Sequence, residues 1–227
     1  MTGVALDASA AALFGAADTV LLDMDGTLLD LAYDNWFWLE AVPRCLARVR
    51  GETVERMRAE VYAHFDAKRG TLDWYCLDYW SGTLELDLRE LKAASSHRIG
   101  YLPGARSFLE RASRSGKRLV LVTNAHGDTL AIKKAVSGLG RYFERCVSSH
   151  DFGQPKEAPD FWPALQSELG FDPARTLFVD DSPSVLAAAA AYGLAGVIGV
   201  SRPDSRQPGK LVTPHAAIDG VAALLDY

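Results

Sequence analysis

Three stretches of the chain are continuously apolar, and each stops abruptly in polar residues. They lie at 19–23, 118–123 and 176–180. Because apolar and polar residues do not alternate there, each stretch is typical of a strand covered on both faces, as in a parallel sheet between helices. Two shorter stretches, 146–149 and 196–200, are weaker strand candidates.

Helical patterns separate the later strands. One begins near Pro103 and ends by Gly116, a second covers 128–139, and a third runs from Pro183 to Tyr192 with Ser182 as a candidate N-cap. This alternation predicts an α/β fold with a doubly wound, mostly parallel sheet. Residues 201–209, which contain two prolines, predict a loop before a short final helix.

Residues 34–98 break this alternation, because they contain no clear apolar strand and have the pattern of several helices. Thr53 and Asp87 are candidate N-caps for two of them. Four of the five tryptophans lie here: Trp36, Trp38, Trp74 and Trp80. We interpret 34–98 as a helical cap inserted after the first strand, and 1–33 with 99–227 as the catalytic core.

Composition narrows the functional classes. The 227 residues are 48% hydrophobic and 23% charged, which fits a folded chain with a sizeable core. With a net charge of -5, the chain lacks the excess of basic residues that is typical of proteins that bind nucleic-acid polymers, so we expect no such partner. We also expect no membrane association, since no apolar run approaches spanning length and the N-terminus does not resemble a signal peptide.

The three cysteines, Cys45, Cys76 and Cys146, are far apart and odd in number. They fit neither a disulfide framework nor a zinc-binding pattern. We therefore expect reduced thiols in core positions and a cytoplasmic location.

Polar side chains suited to phosphate chemistry follow the three strong strands. Asp23-Met-Asp25-Gly-Thr27 ends the first, Thr123-Asn124 the second and Asp180-Asp181 the third, while Lys156 lies in the connection between the last two. In an open parallel sheet, ligands bind beyond the carboxyl ends of the strands. The sequence therefore predicts that these residues meet at one edge.

Phosphoryl transfer needs a nucleophile, a proton donor for the leaving oxygen and neutralisation of charge. Asp23 and Asp25 are two residues apart, so an extended strand end turns both to one side, where one attacks and the other transfers the proton. Clustered carboxylates repel unless a cation lies among them, and Mg²⁺ is a hard, oxygen-ligated cation. Lys156 and the Thr123 hydroxyl supply contacts to the phosphoryl oxygens.

Each motif alone also has an ordinary structural interpretation. Asp-x-Asp is common in turns, Thr-Asn often begins a helix, and Pro-Lys is usually a solvated loop. Asp-Asp-Ser is a typical helix N-terminus, where acidic charge favours the dipole. Their occurrence together, in this order and after apolar strands, favours catalysis.

The order Asp23-x-Asp25, Thr123-Asn124, Lys156 and Asp180-Asp181 resembles the four motifs of the haloacid dehalogenase superfamily. The resemblance covers nearly the whole chain, and the inserted helices resemble that superfamily's C1 cap. It implies that Asp23 is the nucleophile and Asp25 the general acid and base. It also implies that Thr123 and Lys156 bind the phosphoryl group, and Asn124 of the same motif is included among the candidate catalytic residues.

The resemblance further implies a Mg²⁺ cofactor. Its ligands would be Asp23, the main-chain carbonyl of Asp25, and the acidic pair, Asp180 and Asp181. Of that pair, the superfamily pattern favours Asp181 as the direct ligand, with Asp180 acting directly or through water.

The segments 21–31, 74–80, 123–126 and 200–205 resemble the bacterial GMP/IMP 5′-nucleotidase branch of the superfamily. This implies a small phosphorylated substrate, namely a purine nucleoside monophosphate, and aromatic rings and amides are suited to bind a base. If 74–80 is one helix, Tyr75 and Tyr79 share a face. The candidates for substrate contact are Thr27, Asn35, Trp36, Tyr75, Tyr79 and His126.

Other interpretations stay open at this point. The cap rings can instead form the cap's own core, and His126 can simply begin a helix. A dehalogenase is disfavoured by Asp25, whereas a sugar-phosphate phosphatase or phosphomutase shares every motif. A catalytically silent interaction protein would be expected to lack a motif. We expect a monomer or weak oligomer.

Overall fold

The computed structural model describes residues 3–210, 212 and 214–225. Its centre is a six-stranded sheet in which every neighbouring pair is parallel. The strands are β1 (Thr19–Leu22), β2 (Arg118–Thr123), β3 (Arg145–Ser148), β4 (Thr176–Asp180), β5 (Gly196–Val200) and β6 (Ala216–Ile218). The predicted doubly wound α/β fold is confirmed.

The strand order β3-β2-β1-β4-β5-β6 creates a crevice beside β1. From β1 the chain goes to β2 and β3 on one side, and it then crosses back to β4 on the other. Thr19 accordingly pairs with both Arg118 of β2 and Thr176 of β4. The carboxyl end of β1 is therefore the topological switch point, which is the usual ligand site of such sheets.

Helices precede, follow and interrupt this sheet. The α-helices of the described residues are α1 (Gly3–Ala16), α2 (Ala32–Trp36), α3 (Val42–Arg50), α4 (Val54–Lys68), α5 (Leu72–Tyr75), α6 (Leu77–Leu84), α7 (Leu88–Ala94), α8 (Ala105–Ala112), α9 (Gly127–Ser137), α10 (Phe161–Leu169) and α11 (Pro183–Tyr192). A π-helical turn, Phe37–Ala41, joins α2 to α3. Shorter 3₁₀ turns lie at Ser96–Arg98, Leu139–Tyr142, Ser149–Phe152, Pro173–Arg175 and Val221–Leu225.

The sheet is buried on both faces, which explains its unbroken apolar strands. Successive residues of β1 alternate between two hydrophobic cores: Leu22 packs with Phe14 of α1 and Phe108 of α8, while Leu21 packs with Trp162 of α10 and Leu186 of α11. Because both layers are closed by helices, polar chemistry is confined to the strand ends.

Helices α2 to α7 form a separate hydrophobic cluster. Thr53 caps α4 by accepting a hydrogen bond from the backbone N–H of Arg56, at 3.2 Å. Asp87 caps α7 in the same way, accepting from the N–H of Glu90 at 2.8 Å. The chain therefore carries an inserted helical cap. The exact division at 33/34 and 98/99 stays a prediction.

One premise about the cap was wrong. Residues 74–80 do not form a single helix, because Cys76 has extended backbone angles and separates α5 from α6. Tyr75 and Tyr79 thus lie on different helices. Tyr75 bonds to the core, whereas Tyr79 packs against Trp80 inside the cap.

The sequence pattern missed three elements of the core, α1, α10 and β6. Strand β6 has only three residues and lies at the sheet edge, so it has no long apolar run to signal it. The three thiols are unpaired, and each is half-buried rather than in the core positions that we expected. None of the helices in the described ranges has the length and apolarity required to cross a bilayer.

The cap core depends on Trp80, which is buried, contacts Phe65 with ring centroids 4.9 Å apart, and donates its indole N–H to the Trp74 carbonyl at 2.9 Å. We predict that Trp80→Ala lowers the free energy of unfolding by about 3–5 kcal/mol. Trp80→Phe should lose less, because it keeps an aromatic ring. Urea denaturation measures both, and equal losses would contradict this account.

Candidate active site

A buried ammonium group joins the ends of three strands. Lys156 Nζ donates to Asp23 Oδ1 at 2.5 Å, to Asp180 Oδ2 at 2.7 Å and to the Val122 carbonyl at 3.0 Å. The Lys156 side chain is 2% exposed. A Lys ammonium has three donors, and the protein occupies all three. The predicted convergence of Asp23, Asp180 and Lys156 is therefore present.

Three carboxylates meet beside this ammonium. Asp23, Asp180 and Asp181 each place one oxygen within 4.8 Å of the others. Burial raises the pKa of Asp23 well above its ordinary value, although Lys156 opposes the shift. Burial, followed by the charge of Asp180, raises the pKa of Asp181 to about 6. An all-oxygen donor set with excess negative charge could hold a hard divalent cation.

The acidic pair is not equivalent. Both carboxylate oxygens of Asp180 already bind protein groups: Oδ2 binds Lys156, and Oδ1 accepts from the backbone N–H of Ser182 at 2.7 Å. Among the described residues, the Asp181 side chain has one polar partner, the partly exposed Lys210, which binds Oδ2 at 2.9 Å. Asp181 therefore has more freedom to ligate a cation, in keeping with the role that the motif resemblance implies.

Gly26 lets the turn after β1 approach Asp181 and the 201–210 loop closely. Its φ is +85°, and a Cβ there would lie 2.7 Å from Asp181 Cγ and 2.9 Å from Pro203 Cβ. The loop at 201–210 thus packs directly on the turn after β1, and it also brings Asp204 to accept from Asn35 Nδ2 at 2.7 Å. This loop therefore belongs to the site, whereas the sequence analysis predicted a loop here without assigning it a contact.

Asp25 has a different partner from Asp23. Lys133 Nζ of α9 donates to Asp25 Oδ1 at 2.6 Å and to Asp34 Oδ2 at 2.5 Å. Asp34 in turn accepts from Lys92 of α7 at 3.1 Å. Burial raises the pKa of Asp25, although Lys133 opposes the shift. A raised pKa is what a proton donor requires at neutral pH.

The second strand end contacts both the Lys156 segment and the cap. Asn124 Oδ1 accepts from the backbone N–H of Lys156 at 2.8 Å, and its Nδ2 donates to Glu157 at 2.9 Å. Tyr75 of the cap donates to the same Glu157 at 2.6 Å. Thr123 Oγ1 accepts from the N–H of Ala125 at 3.1 Å. Asn124 thus positions Lys156 and, through Glu157, the cap.

A cavity of about 560 Å³ joins these groups to the cap, a size typical of small-molecule sites. Its core wall contains all the predicted catalytic and carboxylate residues: Asp23, Asp25, Thr123, Asn124, Lys156, Asp180 and Asp181. Its cap wall includes Asn35, Tyr75, Trp38, Trp74, Arg69 and Lys92.

Four predicted substrate contacts lie away from the cavity lining. Thr27 is fully buried, and its hydroxyl has no hydrogen-bond partner among the described residues. Trp36 packs beneath the Arg98 guanidinium, with the cation 4.0 Å from the ring centroid. Tyr79 lies inside the cap, and His126 contacts His150.

Sequence reasoning missed Lys133, Asp34, Lys210 and Glu157. None stands in a motif at a strand end, and each acts through a long-range contact. One chemical signal was available. With Lys156 assigned to the phosphoryl group, the sequence motifs left Asp25 without a cationic partner, and Lys133 in the predicted helix 128–139 could have been considered for that contact.

Comparisons with known proteins agree with this geometry. A family model described as haloacid dehalogenase-like hydrolase matches residues 17–193. A curated relative, the GMP/IMP nucleotidase YrfG of Escherichia coli K12, is 40% identical over 208 residues, covering 92% of this chain and 94% of its own.

Solved structures share the fold. The HAD phosphatase from Thermococcus onnurineus aligns with a TM-score of 0.77 at 23% identity, covering 91% of this chain and 95% of its own. The putative beta-phosphoglucomutase from Thermotoga maritima aligns at 0.64 and 20% identity, covering 92% and 97%. The family match and the 40% identity together establish that this chain belongs to the haloacid dehalogenase-like hydrolases, as an enzyme of the phosphatase type.

Proposed function

We propose that this protein is a Mg²⁺-dependent phosphomonoester hydrolase that forms a phospho-aspartate on Asp23 and acts on purine nucleoside monophosphates. The observation that carries the proposal is the cluster of Asp23, Asp180 and Asp181 around the buried Lys156, at the switch point of the sheet. The phosphatase chemistry and the identity of the leaving group are separate parts of this proposal, and each can be tested without the other.

In the first step, a carboxylate oxygen of Asp23 attacks phosphorus and the bond to the leaving oxygen breaks. Asp25 donates its proton to that oxygen, which leaves as an alcohol. In the second step, Asp25 takes a proton from water while the water oxygen attacks phosphorus, which releases phosphate and regenerates Asp23. Lys156 holds one oxygen of Asp23 in place throughout.

The residues present fit Mg²⁺. Asp23 and Asp181 would hold it, with Asp180 supporting the pair from its bonds to Lys156 and Ser182. The main-chain carbonyl of Asp25 is the further ligand that the family pattern implies. When bound, the ion supplies positive charge that offsets the phosphoryl oxygens. Lys156 adds its own charge, since its three N–H groups already bind protein acceptors.

Two side chains in the cap favour a purine as the base of the leaving group. Trp74 and Arg69 lie together in the cavity wall, with the guanidinium carbon 5.6 Å from the ring centroid. An aromatic face can stack on a base, and Arg donates readily to the O6 and N7 acceptors of guanine. Hypoxanthine has the same two acceptors, whereas adenine carries an amino donor in place of O6. We infer that residues 34–98 act as the specificity cap.

For the nucleophile, we predict that Asp23→Asn lowers kcat by at least about a thousandfold, because the substituted side chain no longer supplies the attacking oxygen. Steady-state phosphate release measures the effect, with Asp160→Asn, an exposed carboxylate at the start of α10, as the matched control. A folded Asp23→Asn protein with near-normal turnover would refute the role.

For the metal, chelation should abolish phosphate release and added Mg²⁺ should restore it. Asp181→Asn should raise the Mg²⁺ concentration for half-maximal activity by at least about tenfold. Lys210→Gln should lower that concentration, because it removes a like charge that competes for Asp181. Full activity after exhaustive chelation would sink the metal proposal.

For specificity, kcat/KM should be higher for GMP and IMP than for AMP, CMP or a sugar phosphate. Arg69→Met should lower the GMP and IMP values about tenfold while leaving the sugar phosphate unchanged. Arg106→Met, another exposed arginine, is the control. A preference for the sugar phosphate defeats the nucleotide proposal and leaves the phosphatase proposal standing. Transfer of phosphate within the sugar would instead indicate a mutase.

A further inference from the structure

A second group of metal-binding side chains lies apart from the carboxylates. Cys76, His126 and His150 each place one donor atom within 4.8 Å of the other two. They come from three separate segments: Cys76 separates α5 from α6, His126 precedes α9, and His150 lies in the 3₁₀ turn after β3. Their sequence spacing, 50 and 24 residues, gave no zinc signal.

The donor chemistry differs from that of the carboxylate cluster. A thiolate and two imidazoles are the ligands that Zn²⁺ and its borderline neighbours prefer, whereas Mg²⁺ requires oxygen. Ligands around a tetrahedral zinc stand roughly 3.3–3.8 Å apart, so shifts of about an ångström would close the set. The two sites would therefore select different metals from the same solution.

One member of this cluster has an unsatisfied ring nitrogen. His150 Nε2 is buried and has no hydrogen-bond partner among the described residues. A buried polar atom left in that state destabilises the folded protein. The His150 and His126 rings are edge to face, with centroids 5.0 Å apart. A metal ion bound through Nε2 would supply the missing partner.

Two carboxylates lie beside His126. Asp78 Oδ2 lies 3.6 Å from His126 Nε2, while its Oδ1 is held by Arg89 at 2.9 Å. The other ring nitrogen, Nδ1, accepts from the backbone N–H of Asp128 at 3.4 Å and lies 3.6 Å from Asp128 Oδ2. Carboxylates beside metal-bound histidines commonly orient the ring. Cys76 Sγ also accepts from the backbone N–H of Tyr79, at 3.4 Å.

We propose that Cys76, His126 and His150 form a binding site for Zn²⁺ or a similar thiophilic divalent metal, with the fourth position taken by water or by the neighbouring Asp78. The site joins the cap to the core, because Cys76 and Asp78 belong to the cap and both histidines to the core. It lies next to the cavity wall, since Tyr75 and Ala125 line the cavity and immediately precede Cys76 and His126. The proposal does not depend on the proposed reaction.

Cobalt titration tests the site directly. Metal-free protein under reducing conditions, with excess Mg²⁺ to fill the carboxylate cluster, should bind one equivalent of Co²⁺. A thiolate-to-cobalt charge-transfer band should appear in the near ultraviolet, and Zn²⁺ should displace it. Cys76→Ser should abolish the band, while the matched variants Cys45→Ser and Cys146→Ser, which change the other two free thiols, should retain it.

Two further measurements separate a built site from adventitious binding. His150→Gln should weaken Zn²⁺ binding by at least about tenfold. Zn²⁺ should raise the melting temperature of the wild type but not of Cys76→Ser, because a ligand that binds only the folded state stabilises it. Circular dichroism of the metal-free variants checks that they fold. Absence of the band, or a band that survives Cys76→Ser, would overturn the proposal.

Discussion

The buried ion pairs of Lys156 hold the site together. Its ammonium contacts a carboxylate at the end of β1, a carboxylate on β4 and a carbonyl on β2, so three strands end at fixed positions around one positive charge. Removing it would leave two carboxylates buried and unpaired, and breaking a buried pair in this way typically costs about 3–5 kcal/mol. Geometry and charge balance at the switch point therefore depend on the same contact.

The buried carboxylates outnumber the ammonium group among them. Burial, together with the charges of neighbouring carboxylates, raises the pKa of Asp23 and of Asp181, although Lys156 opposes both shifts. Lys210 reaches Asp181 from an exposed loop, where holding a flexible lysine contributes little. Carboxylates that are costly to ionise together favour the binding of a divalent ion. Their clustered negative charge opposes folding when no ion is bound, and the same charge attracts the ion.

The strands and their terminal motifs were predictable because they are local. An unbroken apolar run followed by Asp-x-Asp or Asp-Asp is visible in any short window, and parallel topology then places the ends together. Helix α4 was predictable for the same reason, from Thr53 and its periodic face. The break at Cys76, the ion pairs of Lys133 and the contact of Tyr75 with Glu157 depend on residues far apart in sequence, so no local pattern reports them.

The two aspartates of the Asp-x-Asp motif are made different by their lysines. Asp23 shares Lys156 with Asp180, whereas Asp25 shares Lys133 with Asp34, so neighbours two residues apart belong to separate charge networks. Two carboxyl groups whose surroundings give them different pKa values can take different roles, one as nucleophile and one as acid. Asp34 also binds Lys92 of α7, which links Asp25, the proposed proton donor, to the cap. The cap is thus positioned by the same charges that tune Asp25, and a change in its docking would act on both leaving-group selection and proton transfer.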